Sequence, residues 1–350
     1  MIFGRTLPLR AMIPERSFKI SMGMGAEMKA WRGLHMRADG HSHQADYDCL
    51  RIAGLNAAKL MTNTGPEDMD KLIATGIAPD HIVMRLFADM HNRLIREATP
   101  ERFVEWTRVE TDWFIAKGGR YVEVHNEPNL PGEGLGTQWM NPFEFSGWFL
   151  DVYTILRARY AGKILIGFPG LSPQPNVPEW LNACSDAYLT ADWIGAHAYW
   201  SRPEDWNNPE EGFYFTRYLR FGRPVMVTEF SNKFSYLLPF DKGRAYAQYW
   251  DALPIQAAFC FVSSASNREF GWGARQSGEV WVMESGMRTQ IPDGIASWSS
   301  PTPSPEPPPT NESGTVVSVD AVGGWDADLV NWLRQNHPEV RYGSVRTNLP

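Results

Sequence analysis

Two glutamates, Glu127 and Glu229, each close a short apolar stretch about a hundred residues apart. The first stands in Tyr121-Val122-Glu123-Val124-His125-Asn126-Glu127-Pro128-Asn129 and the second in Pro224-Val225-Met226-Val227-Thr228-Glu229-Phe230. Val122 and Val124 give the first stretch β character, and Pro128 ends the ladder because proline has no N–H to donate. Strand alternation puts Glu123, His125 and Glu127 on one face, opposite the valines, so that all three point inward. Three ionisable groups on one face of a buried strand are costly unless that face lines a site. Asn-Glu-Pro alone is short enough to arise by chance; a second carboxyl group at a matching strand end gives it meaning. Such a pair suits cleavage of a glycosidic bond. One carboxyl group stays protonated to donate to the leaving oxygen, and the other is ionised to attack the anomeric carbon. At roughly 5–5.5 Å between the groups the second acts as nucleophile and configuration is retained.

The elements between the glutamates decide whether they can meet. Residues 18–24 read as strand 1, followed to residue 42 by a loop rich in Gly, His and Arg. A helix is expected over 45–53 with Gly54 as its stop, then strand 2 over 55–61, a helix over 66–74 with Thr64 as cap, and strand 3 over 81–87. Thr99-Pro100-Glu101-Arg102 opens a helix whose apolar residues Phe103, Trp106, Val109, Trp113 and Phe114 recur at helical spacing. The Glu127 stretch is strand 4. Further helices are expected from Asn141-Pro142 and over 180–188, 210–220 and 242–253, with strands over 163–168, 192–200, 224–230 and 257–264. Eight strands, most followed by a helix, predict an α/β fold, a closed (β/α)8 TIM barrel. An open doubly wound sheet is the alternative, but Gly23-Met24-Gly25 lacks the third glycine of a dinucleotide-binding turn.

The 350 residues carry a net charge of −7 and no basic block, which argues against nucleic acid as a partner. No run is long and apolar enough to suggest a membrane partner, and residues 1–16 lack the apolar core of a signal peptide. Localisation stays open. The three cysteines, Cys49, Cys184 and Cys260, have no metal-ligand spacing. No cofactor and no metal are expected. The 15 tryptophans suit a chain that stacks sugar rings as well as one with a large core, and Trp31, Trp139, Trp200 and Trp206 are candidates for stacking. Residues 299–315 are rich in Pro and Ser and read as an extended linker between a catalytic domain at 1–298 and a partial second module or tail at 316–350.

In a (β/α)8 barrel the chemistry lies at the C-terminal ends of the strands. Those ends carry Asn126 and Glu127 on strand 4, His197 and Tyr199 on strand 6, and Glu229 on strand 7. At this point the chain resembles the clan A glycoside hydrolases, retaining (β/α)8 enzymes with glutamates after strands 4 and 7. Val124-His125-Asn126-Glu127-Pro128-Asn129, Ala196-His197-Ala198-Tyr199-Trp200 and Val227-Thr228-Glu229-Phe230 carry the resemblance, which covers 18–298. It implies a retaining enzyme that cleaves β-glycosidic bonds of an oligo- or polysaccharide by double displacement. Glu127 would be the acid/base and Glu229 the nucleophile. Asn126 would bind the sugar 2-hydroxyl, Tyr199 would donate to Glu229, and His197 and Trp200 would line the same subsite. Strand 2 carries Lys59 where many clan members have Arg, so Arg85 on strand 3 would either stand in as the cation beside the nucleophile or form a structural ion pair. Trp272, in the loop after strand 8, takes the place of the clan's sugar platform. Asp89-Met90-His91 would form a substrate edge, and the loops at 25–42 and 131–140 would wall the cleft.

Other readings are weaker. His41 and His43 with Asp46 and Asp48 have no further ligand at a diagnostic spacing and read as a solvated loop. The Gly-x-Ser-x-Gly of a serine hydrolase is absent. A barrel that binds carbohydrate without cleaving it is the rival from another class.

Overall fold

Eight short strands with mostly apolar outer faces have to be covered on both sides, and the chain does this by closing them into a barrel. The computed structural model describes residues 30–88, 98–233, 237–265, 280–283 and 286–299, with 316–317 and 341–342. The strands are β1 (Trp31–His35), β2 (Ala57–Met61), β3 (Ile82–Leu86), β4 (Tyr121–Val124), β5 (Leu165–Phe168), β6 (Trp193–Trp200), β7 (Val225–Asn232) and β8 (Ala257–Cys260). They follow one another round the barrel in chain order, all parallel, and β1 closes on β8 with Leu34 opposite Cys260. The (β/α)8 barrel expected from the sequence is therefore the fold.

The first strand is not where the sequence suggested. β1 is Trp31–His35, inside the stretch read as a loop, while residues 18–24 lie outside the described residues. Gly33, Arg32 and His35 make this segment look irregular, yet each has a place. A Cβ on Gly33 would stand 2.3 Å from the Phe259 ring, so only glycine lets β8 fill that level of the barrel. Arg32 reaches Asp251 outside the barrel, and His35 points into its mouth.

The outer layer begins with α1 (Gln44–Ile52) and α2 (Pro66–Ala74). The cap of α2 is Gly65, whose N–H donates to Asp68 Oδ2 at 3.3 Å, and Thr64 instead turns its hydroxyl back to Met61 O. The expected helix after residue 99 is two: α3 (Pro100–Trp106) and α4 (Arg108–Ala116). They meet at Thr107, whose hydroxyl donates to Phe103 O at 3.0 Å and competes with the helical ladder. Next come α5 (Pro142–Tyr160), α6 (Val177–Ala183) and α7 (Ser185–Thr190). Over Tyr214–Phe221 the chain forms a 3-10 helix instead of the expected α-helix, burying Tyr214, Phe215, Tyr218 and Phe221. α8 (Pro239–Ala252) and α9 (Ile291–Ala296) complete the ring, so β8 has its outer helix within the barrel unit. Met1–Ser299 and Ser300–Pro350 form separate compact units; in the second, the described residues are a parallel pair, Val316–Val317 with Arg341–Tyr342.

Inside the barrel, the end at the strands' N-termini is filled by apolar side chains: Ala57, Val83, Trp193, Met226, Ala257 and Phe259, flanked by Trp31, Tyr121 and Leu165. Trp31 is thus at the closed end, stacked on His81, and not at the mouth. Above this layer Lys59, Arg85, Glu123 and Thr228 point inward, all buried. The barrel is therefore plugged below and charged above, which places any polar chemistry at the C-terminal rim.

The contact between α8 and α9 depends on two glycines facing each other. A Cβ on Gly294 would lie 2.0 Å from Phe240 O, and one on Gly243 2.2 Å from Ile291 O. Backbone cannot yield as a flexible side chain can, so Gly243→Ala and Gly294→Ala are each expected to destabilise the fold by about 1–3 kcal/mol. A lowered thermal midpoint for both variants, against an unchanged one for Gly132→Ala, where no atom lies within 4 Å of the added Cβ, is the measurement that checks it.

Candidate active site

The chain leaves β4 by breaking its own alternation. The strand stops at Val124, and His125 (φ 72°) and Glu127 (φ 34°) both take the left-handed backbone that non-glycine residues rarely adopt. His125 N–H donates to Leu86 O at 2.7 Å and Glu127 N–H to Gly170 O at 3.1 Å, so the turn is held by β3 on one side and the segment just after β5 on the other. As a result His125 does not join Glu123 and Glu127 inside the barrel, as the alternation predicted. It points outward among Phe87, Phe103, Trp139 and Trp148. Burial lowers its imidazole to about 4, so it is neutral, with Nδ1 donating to Asn126 O at 2.8 Å. The strained turn aims Asn126 and Glu127 over the barrel mouth.

β7 delivers Glu229 by a second irregularity. Ala196 pairs with Val227, but His197 pairs with Glu229, leaving Thr228 as the extra residue of a bulge. Thr228 and Glu229 consequently both face inward, where strict alternation would separate them. Thr228 Oγ1 donates to Glu123 Oε1 at 2.7 Å, and Glu229 stands above it.

Glu229 is surrounded by donors. Arg85 Nη1 is 2.8 Å from Oε1, and the Tyr199 hydroxyl donates to Oε2 at 2.7 Å. Lys59 Nζ and His197 Nδ1 are each 3.7 Å away. Burial alone would raise this carboxyl group, but His197, Lys59 and Arg85 outweigh burial and hold it far below the usual carboxylate range. Glu229 is thus an anion at any working pH. Burial, helped by the charges of Glu229 and Glu127, pushes the Tyr199 phenol well up, so it remains a donor. Burial would lower His197; Glu229 and Glu127 prevail, and the imidazole is raised above its usual range. His35, 3.9 Å from Glu229, is the opposite case: burial, with Lys59 nearby, keeps it neutral, so that contact is not an ion pair.

Glu127 faces this anion across the mouth. His197 Nδ1 lies 2.8 Å from Glu127 Oε1 and so stands between the two glutamates. One carboxylate oxygen of Glu127, one of Glu229 and a ring nitrogen of His197 all lie within 4.8 Å of one another. Three such ligands resemble a metal set, but Arg85 and Lys59 already face Glu229 and would repel a cation placed there. Asn126 Oδ1 accepts from Arg85 Nη1 at 2.6 Å, tying the Glu127 turn to the Glu229 strand through one guanidinium. Beneath lies a buried ion pair, Lys59 Nζ to Glu123 Oε2 at 2.7 Å. Burial would raise Glu123, yet Lys59, His197 and Arg85 lower it. Gly195 leaves the space for this carboxylate, because a Cβ there would be 2.6 Å from Glu123 Oε1.

Of the residues singled out in the sequence, Glu127, Glu229, Asn126, His197, Tyr199 and Arg85 come together at one mouth. Trp200 does not. It alternates with His197 and Tyr199 on β6, faces outward, and stacks on Phe230 with ring centroids 5.8 Å apart. Trp139 is likewise buried, its indole N–H donating to Pro128 O. Trp272 and Asp89-Met90-His91 lie outside the described residues. His41, His43, Asp46 and Asp48 serve local structure: Asp46 accepts from His43 N–H at 2.6 Å, Asp48 pairs with Arg51, and His41 bonds Asp68 at 2.7 Å. Sequence reasoning missed His35, hidden in a strand read as a loop, and Phe261, whose ring stands edge-on to His35 at 4.9 Å. It also missed Glu133, whose Oε1 accepts from Asn126 Nδ2 at 3.2 Å. The one signal for Glu133 was its place in the loop at 131–140.

No family model matches the chain, and no curated protein matches it. Solved structures do. The GH39 enzyme from Xanthomonas axonopodis pv. citri aligns with TM-score 0.54 at 13% identity, over 78% of this chain and 67% of its own. A glucosidase from Croceicoccus marinus aligns with TM-score 0.51 at 10% identity, over 71% of this chain and 61% of its own. At such identities the likeness is one of fold.

The low-lying Glu229 has a stability consequence with a definite sign. Its folded value is depressed below about 4.5, so its charge stabilises the fold above that pH, and the contribution is lost as pH falls through the folded value. Glu229→Gln is expected to lose roughly 3 kcal/mol at pH 7, because Arg85 and Lys59 keep buried charge with less compensation. The gap should narrow below about pH 4. Urea midpoints of both proteins across that range check this; a constant gap would contradict it.

Proposed function

We propose that the protein is a retaining glycoside hydrolase that cleaves β-glycosidic bonds of an oligo- or polysaccharide. The observation that carries this reading is the pair Glu127 and Glu229, with carboxylate oxygens within 4.8 Å across the barrel mouth. Oxygens that close suit the roughly 5–5.5 Å between carboxyl groups of retaining enzymes better than the about 6.5–9.5 Å of inverting ones. The fold-level likeness to a glucosidase points the same way.

In this reading Glu229, held ionised by Arg85, Lys59 and His197, attacks the anomeric carbon. The glycosidic bond breaks as Glu127 gives its proton to the leaving oxygen, and the sugar is left as an ester on Glu229. Water then gives a proton to Glu127 and attacks the same carbon, which frees Glu229 and restores the starting state. Tyr199 keeps one oxygen of Glu229 in place so that the other faces the sugar. Asn126, fixed by Arg85, takes a ring hydroxyl whose hydrogen bond tightens as positive charge develops.

The rival, a barrel that binds sugar without cleaving it, has no need for a nucleophile held so far toward its anion. A panel of β-glucans, mannans, xylans and galactans with reducing-end detection separates the two and names the substrate. Glu229→Ala is expected to show no hydrolysis. Glu127→Ala should lose about 10²–10⁴-fold on substrates with poor leaving groups and be rescued by azide on an activated aryl glycoside. Full activity in either variant would sink the assignment.

A further inference from the structure

We propose that Glu133 is a third carboxyl group of the sugar-binding site, a hydrogen-bonding partner for a substrate hydroxyl beside Asn126 that also fixes which way the Asn126 amide points. This rests on the glycosidase reading and extends it to a residue outside the two catalytic glutamates.

Geometry comes first. Glu133 closes a one-turn 3-10 helix, Pro131–Glu133, that folds the chain back over the site it has just left. The turn is tied down. Leu130 N–H donates to Glu127 O at 2.9 Å, and Glu133 N–H to Leu130 O at 3.0 Å. Gly134 follows with φ 116°, and a Cβ on it would meet the Trp139 ring at 2.7 Å. Trp139 is itself anchored to Pro128 O at 2.8 Å. A side chain on such a turn is placed, not free to wander.

Its two oxygens then have different situations. Oε1 accepts from Asn126 Nδ2 at 3.2 Å, while Asn126 Oδ1 accepts from Arg85. The amide is thereby held in one orientation by two partners. Oε2 is buried and has no hydrogen-bond partner among the described residues. A buried oxygen left open beside the catalytic pair has a use when a ligand fills the mouth, because an unpaired polar atom is otherwise a standing cost.

Charge decides what that oxygen offers. The ionisable groups acting on Glu133 are Arg85 from β3, Glu127 from the β4 turn and Glu229 from β7. Burial, with Glu127 and Glu229 adding to it, outweighs Arg85 and Asn126 and pushes the carboxyl group up to about 7. Below that pH Glu133 is a neutral acid. Oε1 takes the Asn126 N–H, and Oε2 carries a proton to donate to a sugar oxygen. Above it the donor is gone, and a further anion faces Glu127 and Glu229. The substrate class that fits is an uncharged sugar with a free hydroxyl at this position; an acidic substituent there would meet three carboxyl groups.

The test uses the full chain and an aryl β-glycoside that the wild type cleaves, with kcat and KM followed from pH 4.5 to 9. Glu133→Ala is expected to raise KM about tenfold or more with a smaller change in kcat. Glu133→Gln, which keeps an N–H donor and no charge, should recover most of that loss at pH 6. Its alkaline limb should move to higher pH, because the carboxyl group that titrates at about 7 is gone. A second readout needs no activity. The raised Glu133 favours the folded state when protonated, so wild-type stability falls as pH rises from about 4.5 to about 7. The thermal midpoint of Glu133→Gln relative to wild type should therefore climb between pH 5 and pH 8. A folded Glu133→Ala with wild-type KM and an unchanged alkaline limb overturns the proposal and leaves the glycosidase reading standing. Equal impairment of Ala and Gln variants, with equally lowered midpoints at both pH values, makes Glu133 a structural residue and overturns it too. A wild type that cleaves no glycoside removes the reading itself.

Discussion

The site depends on keeping one carboxylate, Glu229, ionised inside a protein. A lone anion there would take a proton, because moving a charge out of water costs far more than neutralising it. The barrel counters this with a guanidinium, an ammonium, an imidazolium and a phenol drawn from β3, β2 and β6. Each of these needs its own compensation. Lys59 finds it in Glu123, His197 in Glu127, and Arg85 shares itself between Glu229 and Asn126. The upper half of the barrel is therefore one hydrogen-bonded charge network, and the apolar layer of Trp193, Met226 and Phe259 beneath it closes off water from below.

Regular strands could not have built this arrangement. Alternation spaces side chains on one face at every second residue, and the site needs groups closer together than that. Two local departures supply them: the left-handed turn at His125 and Glu127, and the bulge at Thr228. Each is stabilised by what surrounds it, the first by Leu86 and Gly170 carbonyls, the second by Glu123. Strain at a functional turn persists only where neighbours over-determine it, and here the neighbours are the adjoining barrel strands and the segment just after β5.

This explains which parts of the molecule the sequence made legible. Seven of the eight strands announce themselves by β-branched and apolar runs, and Glu127 and Glu229 by their strand-end positions. β1 did not, because Trp-Arg-Gly-Leu-His is shaped by its neighbours: glycine for the Phe259 ring, histidine for the mouth. His125 misled because alternation was carried one residue beyond the end of the strand. Trp200 is the reverse lesson. The same alternation that put His197 and Tyr199 inward puts Trp200 outward, against Phe230, and applying it strictly would have removed it from the site. Glu133 was illegible for a different reason: a carboxylate in a Gly-rich loop looks solvated until the turn that folds it inward is seen.

Charge balance also bears on why Glu133 differs from its neighbours. Glu123 and Glu229 each have cations at hand, Lys59 for the first and Arg85, Lys59 and His197 for the second. An ionised Glu133 would find its cation, Arg85, already shared between Asn126 and Glu229. Burial at Glu133 outweighs Arg85 and Asn126, and the group is driven toward its neutral form, whereas burial at Glu229 is overcome. Two glutamates within one mouth are thus shifted in opposite directions by the cations each can reach, not by burial alone. The barrel's supply of inward-pointing cations limits how many of its carboxyl groups are held ionised.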